Sequence, residues 1–469
     1  MLSIAEYLDR NGYNVLVDNL CERMVKSQLF DAKEHIKNLS AKVYAIGLHW
    51  CVHSQGAIEI ARLCKELHPD AMVILGGLTA TVFSEEIIYK CEDIDVVIQG
   101  EAEKPFLLLM NALKQNKKLE EVPNLTFRNS EGGVISNPLM QPCADLDEFE
   151  FTRLDLMEPK GAIFTNDTPP HWGVPICRGC VHNCVTCGGS RYSYRTYLGR
   201  KKPAFRSPQK IAEDIQKLSS QGANLIFLFQ DPHMGGEEYW NNLFTTLRKK
   251  ITPPIHLSME LFAPADEKYL KKLSKVGVPI NLTISPESGV YNVRKAHGRD
   301  YTNEELLKTI KLCKKYDIRL GIHSMIALAD DTPETIRKTW KTWEQICQIN
   351  SKNQDIAPVL YAFGPMILLD PGSLAFDLPN GNGYRLIFKN FEDYYKGLSL
   401  PSWHQWISYE TKHLNRDLIT KLVIDSIEYS TNTREKYGFF SKTEADSLRY
   451  HYVTASKLVI DSVRKAANM

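Results

Sequence analysis

The chain has 469 residues, more than one hydrophobic core usually serves, so two or three domains are expected. Apolar residues make up 43% and charged residues 24%, an ordinary globular balance, and no apolar run approaches the ~20 residues of a membrane-spanning helix. A net charge of +1 gives no overall pull toward nucleic acid or an anionic bilayer. With no basic-then-apolar start, the expected location is cytoplasmic.

The first stretch, 1–125, alternates helical and extended patterns. Residues 2–11 read as helix, Tyr13–Asp18 as extended, and Glu34–Leu39 as helix. Val43–Leu48, Met72–Leu75 and Asp95–Gln99 are short apolar runs suited to strands buried on both faces. Between them, Ala57, Ile60, Ala61, Cys64 and Leu67 form one helical stripe, and Glu85–Lys90 and Pro105–Leu113 read as further helices. Strands separated by helices predict a doubly wound, flavodoxin-like parallel sheet. Residues 126–165 are turn-rich, as in Asn129–Gly133, and read as a linker.

A second α/β series is expected over 166–365. Its strands are Gly173–Ile176, Asn224–Phe229, Ile255–Met259, Pro279–Ile284, Arg319–Ile326 and Ile356–Phe363. Helical patterns such as Pro208–Leu218, Glu267–Val276, Asn303–Tyr316 and Pro333–Gln348 separate them. Six such units suit a partial β/α barrel, in which chemistry collects at the C-terminal strand ends. Arg200–Lys202, with Arg206 nearby, reads as a solvated basic face. Residues 366–469 open with a Pro/Gly-rich stretch and turn aromatic and then helical, predicting a mostly helical cap. There Tyr384, Trp403, Trp406 and Tyr409 either line a pocket or pack the cap, packing being the plainer reading.

Seven of the eleven cysteines are scattered and read as reduced, buried thiols. The other four, Cys177, Cys180, Cys184 and Cys187, fall together just after the first barrel strand. Three thiolates on one short loop can take three corners of an iron–sulfur cubane and leave the fourth iron open. Small loop residues let backbone amides approach the sulfurs. A structural zinc site normally needs two ligand pairs, and His182 cannot easily join without straining the loop. A non-catalytic metal- or cluster-binding module stays open as a reading of another class.

The run Cys180-x3-Cys184-x2-Cys187 resembles the signature of the radical S-adenosylmethionine (SAM) superfamily. The resemblance implies a [4Fe–4S] cluster on Cys180, Cys184 and Cys187, whose open iron chelates SAM and whose reduction yields a 5′-deoxyadenosyl radical. It also implies SAM contacts from Gly188 and Gly189, from Asp231 after the second barrel strand, and from Ser285 and Glu287 in Ile284-Ser285-Pro286-Glu287-Ser288-Gly289. Cys177 belongs to an Arg-Gly-Cys lead-in and is expected to be a spectator. Thr186 stands where an aromatic residue often contacts the adenine.

The N-terminal order of patterns, ending in Gly76-Gly77 and Gly100-Glu101-Ala102-Glu103, resembles the cobalamin-binding domain that precedes many radical SAM cores. That resemblance implies cobalamin contacts from His49, Gly76, Gly77 and Thr79. Three features depart from it: the usual first strand is missing, His49 replaces an expected serine, and no D-x-H-x-x-G motif supplies an axial histidine. Cys51–Gly56 copies that spacing after the wrong strand. Methyl transfer is the leading chemistry implied, with cobalamin-independent rearrangement or C–C bond formation as the alternative. The resemblance further implies an electron donor such as flavodoxin or ferredoxin. A small-molecule, lipid or peptide substrate is expected, and no nucleic acid.

Overall fold

In the computed structural model the described residues are 1–159, 171–350, 360–365 and 368–467. The N-terminal unit is built on a five-stranded sheet. Val43–Gly47, Met72–Gly76 and Val96–Ile98 run parallel, and the hairpin Leu125–Arg128/Val134–Ser136 adds two antiparallel strands. Successive side chains of a strand point to opposite faces. Accordingly Val73 and Leu75 join the core under helix Ser54–Leu67, while Ile74 joins that under helices Leu2–Asp9 and Glu103–Lys114.

Two expectations are corrected here. The span expected as linker from residue 126 begins inside this sheet, because Thr126 and Phe127 pair with Val97 and Val96. Of the extended stretch Tyr13–Asp18, only Val17–Asp18 is strand, and it pairs with Met157–Glu158 rather than with the five-stranded sheet.

The second unit is a six-stranded, all-parallel open barrel: His171–Pro175, Leu225–Phe229, His256–Leu261, Ile280–Glu287, Arg319–Ile326 and Leu360–Pro365, side by side in chain order. Residues 356–359 of the expected last strand lie outside the described residues. Leu257, Met259, Leu282 and Ile284 are buried against the outer helices, and the alternate positions Ser258, Glu260, Thr283 and Ser285 are half-buried on the lumen side. Helix Pro208–Ser220 shows how the outer layer is encoded. The Ser207 hydroxyl accepts from the Lys210 N–H, Pro208 fixes the first turn, and Ile211, Ile215 and Leu218 are fully buried. Each such side chain stabilises the fold by roughly 1.5–3 kcal/mol.

The C-terminal region packs on both units. Helix Arg416–Lys436 and the hairpin Tyr384–Leu386/Tyr409–Thr411 share a core with Ile326 and Trp343 of the barrel. Tyr384 and Tyr409 are core residues of that packing, and Trp403 is half-buried against it. The Trp406 indole N–H donates to the Leu400 carbonyl at 2.7 Å. Phe376, Phe388 and Tyr394 complete the apolar face of the N-terminal unit beside Phe83. No described helix is long and apolar enough to cross a membrane.

Candidate iron–sulfur and cofactor site

The four clustered cysteines follow the first barrel strand at its C-terminal end. Cys177 and Arg178 form a two-residue antiparallel ladder with Ala204 and Phe205, which anchors the entry to the loop. Gly179 then turns with φ +102, and a Cβ there would stand 2.8 Å from the Pro203 Cα, so only glycine fits. The exit is anchored by helix Arg191–Tyr197, whose first turn the Ser190 hydroxyl caps. Arg191 N–H donates to the His182 carbonyl at 2.8 Å and Tyr192 N–H to Asn183 Oδ1 at 2.9 Å. On the far side the Val185 N–H donates to the His297 carbonyl at 3.1 Å, and Gly298 lies against Cys184.

Within the loop, the His182 N–H faces Cys180 Sγ and the Gly189 N–H faces Cys187 Sγ, each at 3.3 Å. Cys184 is buried, Cys180 is half-buried, and Cys187 is reached by water although protein atoms crowd it. Burial pushes all three thiols above their ordinary range. An uncompensated thiolate is therefore costly here, and bound iron would remove that cost by deprotonating the ligands. Cys177 is buried in the ladder with its sulfur 3.8 Å from the Gly179 carbonyl, apart from these amide-facing thiols. Among the described residues no three His, Cys, Asp or Glu side chains are gathered to hold a single metal ion. Three thiols on one loop, two of them faced by backbone amides, are the kind of donor set a [4Fe–4S] cluster takes.

Non-glycine residues with positive φ mark three of the barrel's strand ends: Gln230 (φ 82), Glu287 (φ 65) and Ala327 (φ 72). Such conformations are uncommon and concentrate where a side chain must be aimed. At Glu287 a register shift against the next strand accompanies the turn. Its carboxyl is buried, with Oε1 3.7 Å from Arg299 Nη2 and Oε2 without a partner. Burial raises this carboxyl to about 7 against the opposing pull of Arg299. Arg299 Nη1 donates to the Phe262 carbonyl at 2.9 Å. Glu260, on the lumen side, accepts from the Gln230 N–H at 2.7 Å, and burial raises its carboxyl too.

The predicted SAM contacts divide. Glu287 retains a free acceptor, and Ser285 is half-buried on the lumen side of its strand. Asp231 Oδ1 accepts from the His233 N–H at 2.9 Å and Oδ2 from the Phe262 N–H at 2.7 Å, so both oxygens also tie strand ends together. Gly188 donates its N–H to Asp370 Oδ2 at 3.0 Å, with Leu78 and Asp370 packed against it. The loop thus stands where the N-terminal unit, the barrel and the cap meet. Thr186 is buried beside His297. Sequence reasoning missed Glu260, Arg299 and Asp370. Glu260 stands at a barrel strand's C-terminal end, a place that could have flagged it; the other two had no local signal.

The predicted cobalamin contacts meet at the ends of the first two parallel strands. Thr79 donates through its N–H and its hydroxyl to the His49 carbonyl, at 3.2 and 3.0 Å. Gly77 has φ +114, and a Cβ there would lie 2.7 Å from the Leu48 carbonyl group. The glycine is therefore required by this strand-end packing itself. Gly76 has only ordinary contacts. The His49 ring is exposed, edge-on to Trp50 at 4.5 Å, and burial of its surroundings lowers its basicity. Cys51–His53 is a turn of 3₁₀ helix in which Cys51 is buried and His53 is exposed.

A buried charge network joins the two units beside the loop. Arg178 pairs with Glu101 at 3.2 Å and with both oxygens of Glu103, Arg200 pairs with Glu101 at 2.6 Å, and Ser3 donates to Glu103 at 2.7 Å. Burial opposes ionisation of Glu103, but Arg178 outweighs it and holds the carboxyl down to about 2. Arg206 is likewise buried and paired with Asp214 at 2.6 Å. The basic run is therefore only partly a solvated face.

A family model of the radical SAM superfamily matches residues 174–342, and one of the B12 binding domain matches residues 1–109. The anaerobic magnesium-protoporphyrin IX monomethyl ester cyclase of Rubrivivax gelatinosus is 23% identical over 353 residues, covering 72% of this chain and 60% of that protein. The cytidylyl-2-hydroxyethylphosphonate methyltransferase of Streptomyces wedmorensis is 23% identical over 363 residues, covering 68% and 66%. This chain spans about 60% of the length of the first such relatives. Among solved structures, the radical SAM methyltransferase TsrM of Kitasatospora setae, with cobalamin and a [4Fe–4S] cluster bound, superposes with a TM-score of 0.66 at 13% identity, over 94% of this chain and 86% of that one. The cobalamin-dependent radical enzyme OxsB superposes at 0.60 with 13% identity, over 97% and 73%.

Proposed function

Because the chain belongs to the radical SAM superfamily, in the branch with an N-terminal cobalamin-binding domain, we propose that it is a cobalamin-dependent methyl-transferring enzyme. The observation that carries this reading is the loop. Three thiols in C-x3-C-x2-C spacing follow the first barrel strand, and backbone N–H groups face two of them. Cys180, Cys184 and Cys187 would hold three irons of a [4Fe–4S] cluster, leaving the fourth to the amino and carboxylate groups of SAM. When bound, these groups supply reductive cleavage of the sulfonium to a 5′-deoxyadenosyl radical, and cobalamin supplies methyl transfer to an unactivated carbon or phosphorus.

The chain's own residues bind, aim and screen. The His182 and Gly189 amides stabilise thiolate charge, and the guanidinium of Arg299 adds positive charge beside Cys184. Glu287 Oε2 is a free buried acceptor suited to an ammonium or hydroxyl of the cosubstrate. Ser258, Thr283 and Ser285 give the lumen a polar lining out of bulk water. The partner this chemistry needs is an electron donor such as flavodoxin or ferredoxin.

A second reading keeps the radical core and drops cobalamin, with ring closure or C–C bond formation as the reaction. It is favoured by Gly77, whose place strand packing alone explains, and by relatives named as cyclases. Anaerobic reconstitution with iron, sulfide, SAM and hydroxocobalamin, followed by reduction, separates the two. The expected result is 5′-deoxyadenosine that disappears on Cys184→Ala, with corrin retained through gel filtration. Deoxyadenosine without corrin would select the second reading. Failure to assemble any iron cluster would overturn both.

A further inference from the structure

Resting on the radical SAM reading above, we propose that Arg191, Arg195, Lys201 and Lys202 form the docking face for an acidic protein electron carrier.

These four side chains are exposed, and among the described residues none of them pairs with a carboxylate. They lie on one segment, 190–203, that brackets the cysteine loop at both ends. At one end the Arg191 N–H donates to the His182 carbonyl at 2.8 Å, and the Arg191 charge is felt at the His182 ring. At the other end, Arg200 and Pro203 press on Gly179, directly before Cys180. Arg195 Nε donates to the Lys201 carbonyl at 3.2 Å, which ties the middle of the segment to its far end.

The segment carries no acidic residue from Gly188 to Gln209. Asp377, the carboxylate the cap places against the same helix, accepts instead from the hydroxyls of Tyr192 and Tyr197, at 3.0 and 2.8 Å. Arg200, the remaining cation, is buried and spent on Glu101. It fixes the segment, and the four exposed cations are left to face solvent. Val181 of the cysteine loop is itself 40% exposed, so the loop comes to the surface beside them.

A local cationic face on a chain of net charge +1 steers an anionic partner without drawing polyanions to the whole surface. Nucleic acid would call for a longer stripe and a more basic chain. A carrier that must bring its redox group close to the cysteine loop needs only a small patch at that place. Each encounter passes one electron, the carrier losing what the enzyme's cluster gains.

The test compares two reductants in the reconstituted full-length protein. In Arg191→Glu/Arg195→Glu/Lys201→Glu/Lys202→Glu, deoxyadenosine formation driven by dithionite is expected to stay within about twofold of wild type. The rate driven by reduced flavodoxin should fall about tenfold or more, and its dependence on salt should vanish. An unchanged flavodoxin-driven rate would overturn the proposal, as would equal losses with both reductants. Loss of binding to a tRNA probe with the flavodoxin rate intact would reassign the face to nucleic acid. If the wild type makes no deoxyadenosine even with dithionite, the radical reading fails. The docking face is then judged by direct titration with flavodoxin: binding that the quadruple variant loses supports it, and binding that survives overturns it.

Discussion

Glu287 combines a positive φ, a strand irregularity, nearly complete burial and an oxygen without a partner. Its sequence neighbourhood, Ser285-Pro286-Glu287-Ser288, marked it out, but its pairing with Arg299 came from the loop after helix Tyr291–Ala296, which the local pattern does not connect to it. Burial raises its folded-state ionisation above the unfolded value, so the protonated form favours the fold. Stability contributed this way declines as pH rises from about 4.5 through about 7. Glu287→Gln removes the titration. The variant should gain stability relative to wild type at pH 8 more than at pH 5 in denaturant melts. If Glu287 also contacts SAM, equilibrium dialysis should show about tenfold weaker binding with an unchanged cluster absorbance. Unaltered SAM affinity would remove it from the site.

At the scale of elements, strand ends decide more than strand interiors. The apolar runs Met72–Leu75 and Leu225–Phe229 were readable because short apolar runs between helical patterns suit the strands of a parallel sheet. The hairpin Leu125–Ser136 was not, because its polar alternation becomes a strand only once Val96–Ile98 is beside it. Gly77 shows the same dependence. The sequence marks a glycine after a strand, whereas the contact that demands it comes from Leu48, twenty-nine residues earlier. Gly77→Ala combines a positive φ with a backbone clash, so it should lower stability by about 1–3 kcal/mol whether or not corrin is present. Thermal melts of the corrin-free protein check this. A normal melting temperature with selectively weakened corrin binding would return the glycine to a ligand role.

Across the whole molecule, the Arg178–Glu101–Glu103–Arg200 network connects the N-terminal unit to the entry of the cysteine loop. Glu103 is ionised far below its ordinary range, so its stabilising contribution is full above about 4.5 and is lost as pH falls toward about 2. Glu103→Gln leaves Arg178 buried with a weakened partner, a loss on the order of 3 kcal/mol at neutral pH. Acid titration of folding should show the wild-type advantage disappearing in that window, and equal acid sensitivity of the two proteins would disprove the role. Amino-acid sequence alone determined the C-x3-C-x2-C spacing, the two α/β series and the helical end, because thiol spacing and hydrophobic periodicity are local properties. Tertiary structure decided which charges are paired, which glycines are obligatory and which acceptors are free, because those depend on chain segments that meet only when the three regions pack.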